Sequence, residues 1–297
     1  MPLRRAALHA IVVWLSPLAC AQDLDPAAWG SSHAGKPVPE FIHGDECLFC
    51  HRNDIGSRWQ KNAHGITIRQ RKDAPSLAVP PALASQVEYF LGGRNHVRYL
   101  KKDGYGKLAI FTAAGAWDRS RFADACAGCH ATAVEAATRT FAYYGLDCYT
   151  CHGVVDLNHT RDTSLILLSK KNAAPARVVT SICAQCHLRG GKSRSTGLPY
   201  ANNFVAGDNL FQDFQVDFSL ADRAELNPGD LHVWRNVGDV VLRGSGLTCL
   251  GCHSVHGSSS AKHRRVLSGP ICLDCHYEGK PRKEVRSYTV RSATCEY

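Results

Sequence analysis

The 297-residue sequence predicts a protein with little regular secondary structure, in which short helices and loops wrap a core of stacked bound groups. A five-residue pattern, Cys-x-x-Cys-His, occurs six times along the chain. Without a predicted leader at residues 1–21, about 46 residues remain per copy, too few to enclose each copy in its own apolar core. Strand-like patterning is concentrated near residues 86–112, which predict a small β meander.

The six copies, which we number first to sixth in chain order, repeat the same spacing. Their residues are Cys47, Cys50 and His51; Cys126, Cys129 and His130; Cys148, Cys151 and His152; Cys183, Cys186 and His187; Cys249, Cys252 and His253; and Cys272, Cys275 and His276. The first cysteines of the second and third units are 22 residues apart, and those of the fifth and sixth units are 23 apart. These similar spacings suggest a repeated two-unit module.

This pattern is the attachment site of a c-type haem. Two thiols three positions apart reach the two vinyl groups on one porphyrin edge and form thioethers. The histidine that follows the second cysteine is then the proximal ligand of the iron. Six units therefore predict six covalently bound haem c groups, and the predicted fold class is a multihaem cytochrome c.

Two other interpretations of the cysteines are less consistent with the pattern. Zinc ribbons use paired Cys-x-x-Cys units, but zinc does not require a histidine after every second cysteine. Disulfides of an exported protein would explain neither the identical spacing nor the histidines. One cysteine, Cys295, lies outside the units and the leader, and the sequence leaves open whether it pairs between molecules, is reactive, or is buried.

The second axial ligand of each iron is also predicted to be histidine. The only methionine is Met1, within the predicted leader, so Met/His ligation is not available to the exported chain. Of the 15 histidines, His9 lies in the leader and six belong to the units. Six of the remaining eight are predicted as distal ligands: His64, His96, His159, His232, His256 and His263. His33 and His43 are left as spares, and the sequence does not pair ligands with irons.

The N-terminus predicts export. Two arginines, an apolar run and the small-x-small sequence Ala19-Cys20-Ala21 are typical of a secretory signal peptide, with the exported chain starting at Gln22. No later stretch approaches the length of an apolar membrane span, so no transmembrane segment is expected after cleavage. We expect an extended lead-in over residues 22–40 and a single hexahaem domain over 41–297. The location is then periplasmic or extracellular.

The formal net charge of +9 does not predict a nucleic-acid partner. Each haem brings two propionates, which would more than cancel the positive charge. Lysine and arginine side chains are therefore expected to pair with haem propionates.

Outside the units the sequence predicts few regular elements. Residues 74–86, rich in proline and alanine, predict a linker, and residues 190–228 predict a polar surface loop. Short helices are predicted at 131–138 and at about 230–243, and an edge strand at 285–290.

The surroundings of three units resemble the multihaem cytochromes c of the cytochrome c-552/4 type, related to the nitrifier tetrahaem cytochrome and hydroxylamine oxidoreductase. The first unit followed by Trp59 and His64 is similar to that family's opening segment. Gly145-Leu146-Asp147 before the third unit, with Gly153 and His159 after it, resembles its central segment. The fifth unit with His256-Gly257 resembles a unit whose second histidine serves a neighbouring haem. The resemblance implies electron transfer and bis-histidine ligation, with His159 ligating another haem.

The favoured function is electron transfer through a chain of bis-histidine haems, between a respiratory donor and a terminal acceptor, with redox proteins as partners. Two alternatives stay open. One is a multihaem reductase or oxidase of a small nitrogen or sulfur species, which needs an iron with an open position. The other is a subunit of an extracellular filament or outer-membrane conduit, in which the chain forms a homo-oligomer. The supply of histidines makes an enzyme the less favoured interpretation.

Overall fold

The computed structural model describes residues 31–92, 96–169, 171, 174–219, 226 and 228–257. The sixth unit, His263, the predicted signal peptide, the predicted strand at 285–290 and Cys295 lie outside the described residues. Among the described residues, no helix combines the length and apolar character needed to cross a bilayer.

The structure contains short helices and three small antiparallel sheets. The α-helices are α1 (Gly44–His51), α2 (Ser57–Trp59), α3 (Arg119–Ala125), α4 (Ala127–His130), α5 (Cys148–His152), α6 (Ala176–His187), α7 (Pro228–Arg243) and α8 (Cys249–Cys252). A π-helical turn covers Arg52–Gly56, and 3-10 turns cover Arg71–Asp73, Pro81–Leu83, Leu157–Thr160, Thr163–Leu165 and Leu210–Gln212. The strands are β1 (Ile68–Gln70), β2 (Tyr89–Leu91), β3 (Arg98–Gly104), β4 (Lys107–Phe111), β5 (Trp117–Asp118), β6 (Ala131–Glu135), β7 (Thr140–Tyr144), β8 (Lys192–Ser193) and β9 (Phe214–Gln215).

The predicted β meander is present and is larger than the sequence indicated. Its central strands β2, β3 and β4 fall within 86–112, and β1 and β5 extend it to a five-stranded sheet in chain order. Side chains alternate between its two faces, as the strand period requires. On β2, Tyr89 and Leu91 pack with Leu100, Ile110 and other residues of one core, whereas Phe90 packs on the opposite face.

The predicted helix at 131–138 is wrong. Residues Ala131–Glu135 instead form β6, which pairs with β7 in a hairpin. Alanine has the highest intrinsic helix propensity, but propensity is a weak determinant of structure and tertiary contacts override it here. Phe141 on β7 packs edge-to-face on Phe122 of α3, so the hairpin closes one side of the sheet's core.

Two further predictions about irregular segments are corrected. Residues 74–86 are not a free linker, because Ala74 and Leu83 are buried under the sheet beside Phe90. The segment 190–219 is not a surface loop, because Leu210 and Phe214 are buried in the core between α6 and α7. The carboxylate of Asp213 accepts hydrogen bonds from backbone N–H groups there, which gives this irregular segment the partners that regular structure would otherwise supply.

The predicted helix near 230–243 is confirmed as α7. It packs on α6, and Trp234, Val237 and Val241 line the core that the two helices share. The indole of Trp234 donates a hydrogen bond to the carbonyl of Arg189, at 3.0 Å, just after the fourth unit. The helix therefore supports the segment that carries the fourth unit and leads to the fifth.

Candidate haem-binding site

Each of the five described units lies in or at the end of a short helix. The first is within α1, the fourth ends α6, and the second, third and fifth coincide largely with α4, α5 and α8. Residues three apart in a helix lie on the same face, so the two thiols of a unit point the same way. The carboxylate of Asp147 starts α5 by accepting the backbone N–H of Cys148 at 2.5 Å. The local geometry suits two thioether bonds to one porphyrin edge.

The units are packed against one another rather than spread along the chain. The thiols of Cys47 and Cys148 hydrogen-bond, which joins the first unit to the third. The thiols of Cys129 and Cys186 are hydrogen-bonded in the same way, which joins the second unit to the fourth unit. A third pair, Cys183 with Cys249, joins the fourth to the fifth. The attachment points thus form a connected group.

These thiol pairs also polarise the cysteines. The hydrogen bond from Cys148 lowers the pKa of the Cys47 thiol to about 7, and the hydrogen bond from Cys183 does the same for Cys249, again to about 7. The pKa of each donor thiol is raised, because it gives its proton to the shared bond. The thiolate is the nucleophilic form of cysteine, so one thiol of each of these pairs is activated for bond formation.

The rings of His51 and His159 have centroids 6.1 Å apart and planes 20° from parallel. Nδ1 of His51 lies 3.2 Å from a carboxylate oxygen of Asp54, and Nδ1 of His159 lies 2.8 Å from the carbonyl oxygen of Asp156. Such acceptors hold the proton on Nδ1 and leave the Nε2 lone pair for a metal. Both rings are therefore in the tautomer that binds iron.

Two more ring pairs have the same separation. His152 and His256 have centroids 5.9 Å apart with planes 16° from parallel, and His64 and His187 have centroids 6.0 Å apart with planes at 79°. With metal–nitrogen bonds of about 2 Å on each side, two imidazoles that share one metal have centroids about 6 Å apart. Ordinary aromatic contacts cover the same range. Shared ligation is favoured because each pair joins one unit histidine with one predicted distal histidine.

One more unit histidine, His253, also has a predicted distal histidine nearby, His232 of α7. Desolvation lowers the pKa of His232, and the nearby His253 lowers it further. Burial lowers the pKa of His152 to about 4, with further contributions from His256, His159 and His51. Neutral imidazole is the form that ligates metals, so these surroundings favour ligation.

The residues present fit a haem. Nδ1 of His130 and of His152 is buried and has no hydrogen-bond partner within the described part of the chain. Large apolar side chains, Phe49 inside the first unit and Leu157 two residues before His159, are 89% and 65% exposed. A porphyrin bound between His51 and His159 would cover apolar surface of this kind. No group of three or more potential metal-ligating side chains occurs among the described residues.

The structure does not join every predicted ligand to a unit. His96 is exposed on the segment before β3, and among the described residues no imidazole is found opposite His130. The sequence analysis missed Asp54, whose carboxylate lies beside His51, and the backbone carbonyl of Asp156, which lies beside His159. For Asp54 the available signal was a carboxylate three residues after a unit histidine. A backbone carbonyl leaves no such signal.

Comparison with known proteins gives two findings. Residues 241–281 match a family model described as a doubled CXXCH motif, which spans the fifth and sixth units. The fold is similar to the crystal structure titled outer cell wall cytochrome OcwA, with a TM-score of 0.52 and 21% sequence identity over 80% of this chain and 67% of that chain. No curated protein was found to match the sequence. The two matches support the interpretation of this chain as a multihaem c-type cytochrome.

Proposed function

We propose that the protein is an exported hexahaem c-type cytochrome that transfers electrons through bis-histidine haems, between a respiratory donor protein and a terminal acceptor. The observation that carries the proposal is the set of three ring pairs, each formed by a unit histidine and a predicted distal histidine about 6 Å away. Haem iron supplies reversible one-electron chemistry, and the protein supplies ligands, burial and neighbouring charges that tune it.

The contacts between units support a connected array. The first unit contacts the third through Cys47 and Cys148, and the fourth contacts both the second and the fifth. Groups attached at these cysteines share neighbouring anchor points, which suits transfer from one to the next.

Several finer points belong to the same proposal. Residues 1–21 are a signal peptide, the sixth haem is attached at Cys272 and Cys275, and the protein works in the periplasm or outside the cell. The solved relative is titled an outer cell wall cytochrome, which agrees with such a location. The resemblance to the cytochrome c-552/4 type is proposed on the segments around the first, third and fifth units.

The direct test is the haem content of the exported protein. Its intact mass should equal the chain from Gln22 plus six haems, and the pyridine haemochrome assay should give six haems per chain. A matched control replaces both cysteines of one unit, Cys249 and Cys252, by serine and should lower the count by one. Fewer than five covalent haems in the native protein, or zinc in their place, would refute the proposal.

A further inference from the structure

His33 lies in the lead-in segment and is held by a buried carboxylate. Its Nδ1 is 2.9 Å from each carboxylate oxygen of Asp208, whose side chain is 3% exposed. The same carboxylate accepts the hydroxyl of Ser31 at 2.8 Å and the backbone N–H of Val205 at 3.1 Å. These donors fix the carboxylate in place, and it in turn fixes the imidazole.

This arrangement sets the tautomer of His33. A carboxylate can only accept, so Nδ1 carries the proton and Nε2 keeps its lone pair. The rings of His51 and His159 are oriented in the same way, through Asp54 and the Asp156 carbonyl. A histidine with Nδ1 on a carboxylate and Nε2 open is the usual form of a metal ligand.

His43, the other spare histidine, is held differently. Its Nδ1 accepts the backbone N–H of Asp45 at 3.1 Å, caps helix α1, and also lies 3.3 Å from the Asp45 carboxylate. The side chain of Asp45 is exposed, so no buried carboxylate orients this ring. His43 therefore serves as a helix cap, whereas His33 is held by the buried Asp208.

The lead-in segment runs beside the second unit's strand. The backbone N–H of Val38 donates to Glu135 at 3.4 Å, and Asn203 donates both to Glu135 at 2.8 Å and to the carbonyl of Lys36. Glu135 ends β6, the strand that begins directly after His130. The segment that carries His33 is thus attached to the structure that carries the second unit.

A small cavity of about 30 Å³ lies between the second unit and the segment that leads to Asp208. Gly128 and Ala131 of the second unit and its strand line it, together with Tyr149 and Ala206. Ala206 is two residues before Asp208, the residue that holds His33. The second unit and the segment that leads to Asp208 therefore lie close together.

We propose that His33 is an axial iron ligand and completes the haem attached at the second unit. The inference rests on the haem binding proposed above. Four of the five described unit histidines already have a neighbouring distal histidine, and His130 is the fifth. His33 has the required tautomer, a fixed orientation and a backbone attached to the second unit's strand.

The test uses the holoprotein with His33→Gln, because glutamine retains an amide donor toward Asp208 but is a poor iron ligand. We expect one haem per chain to change from low-spin to high-spin in electron paramagnetic resonance, and one additional equivalent of carbon monoxide to bind the reduced protein. Added imidazole should return that haem to low spin. His43→Gln, the matched control, should leave the spin state unchanged.

The outcomes separate this inference from the proposed function. Haem content is measured in every sample, and fewer than five covalent haems in the native protein counts against the proposed function itself. Full haem content with an unchanged spin state in both His33→Gln and His33→Ala would overturn the role of His33. If a chain lacking Cys126 and Cys129 still gains a high-spin haem upon His33→Gln, the assignment to the second unit is wrong.

Discussion

The carboxylate of Asp147 accepts the backbone N–H of Gly44 at 2.9 Å and joins the start of α1 to the third unit. The side chain of Asp147 is buried, and its second oxygen accepts the N–H of Cys148. An ideal Cβ on Gly44 would lie 2.0 Å from this carboxylate, so a larger residue at position 44 would displace the carboxylate from its present place. One buried side chain therefore fixes the position of the first unit relative to the third.

Asp147→Ala should lower the free energy of unfolding of the holoprotein by about 1–3 kcal/mol, because it leaves buried backbone donors without an acceptor. Urea unfolding followed by the haem absorption band measures this. Asp162→Ala is the control, since Asp162 also caps a turn but is at the surface. A loss no larger than that of the control would contradict the importance of this contact.

The ring planes predict which haem gives which magnetic signal. Perpendicular imidazole planes leave the iron d orbitals nearly degenerate and give a highly anisotropic low-spin ferric spectrum, whereas parallel planes split them and give a rhombic one. The plane angle is 79° for His64 and His187 but 16° for His152 and His256. We expect His64→Ala to remove a highly anisotropic signal and His256→Ala to remove a rhombic one. The reverse result would contradict the pairing.

Bis-histidine ligation predicts low reduction potentials and little ligand binding. Imidazole lacks the preference of a thioether for ferrous iron, and exposed haems stabilise the charged ferric state. The native reduced protein should bind little carbon monoxide, and the oxidised protein should show no high-spin signal. Stoichiometric binding of carbon monoxide, together with turnover of nitrite or hydroxylamine, would favour the enzyme alternative.

Asp213 predicts an acid-sensitive contribution to stability. Burial opposes its ionisation, but hydrogen bonds from Ser193, Ser195 and the backbone of Asn202 outweigh burial and lower the pKa. A carboxyl group whose pKa is lower in the folded chain stabilises the fold at pH values above its unfolded-state pKa of about 3.9. That contribution is lost as the pH falls through the folded-state pKa.

Asp213→Asn should therefore destabilise the protein by about 1–3 kcal/mol at pH 7. The difference from the native chain should shrink once the pH falls below about 4. Urea unfolding midpoints of the native and variant proteins, at pH 7 and at a pH below about 4, measure this difference. Asp217→Asn, at an exposed turn, is the control. A difference that stays constant with pH would contradict the role of the ionised carboxylate.

The sequence by itself determined the attachment chemistry. Two cysteines three positions apart and a following histidine are a local arrangement, so a five-residue pattern suffices to predict a covalent haem site. The confinement of methionine to Met1 pointed equally directly to histidine as the second ligand. The β meander and helix α7 were also predictable, because their hydrophobic patterns agree with the contacts they make.

Only the tertiary structure decided which residues meet. The pairs His51–His159, His64–His187 and His152–His256 join histidines far apart in the sequence, and no local pattern encodes such contacts. The alanines at the start of β6 form a strand because β7 pairs with this segment, against the intrinsic preference of alanine for helix. His33 and His43 have the same side chain, yet the buried carboxylate of Asp208 orients the ring of His33, whereas His43 caps helix α1 beside the exposed Asp45. The hydrogen-bond partner, which the fold supplies, sets which nitrogen is free to bind iron.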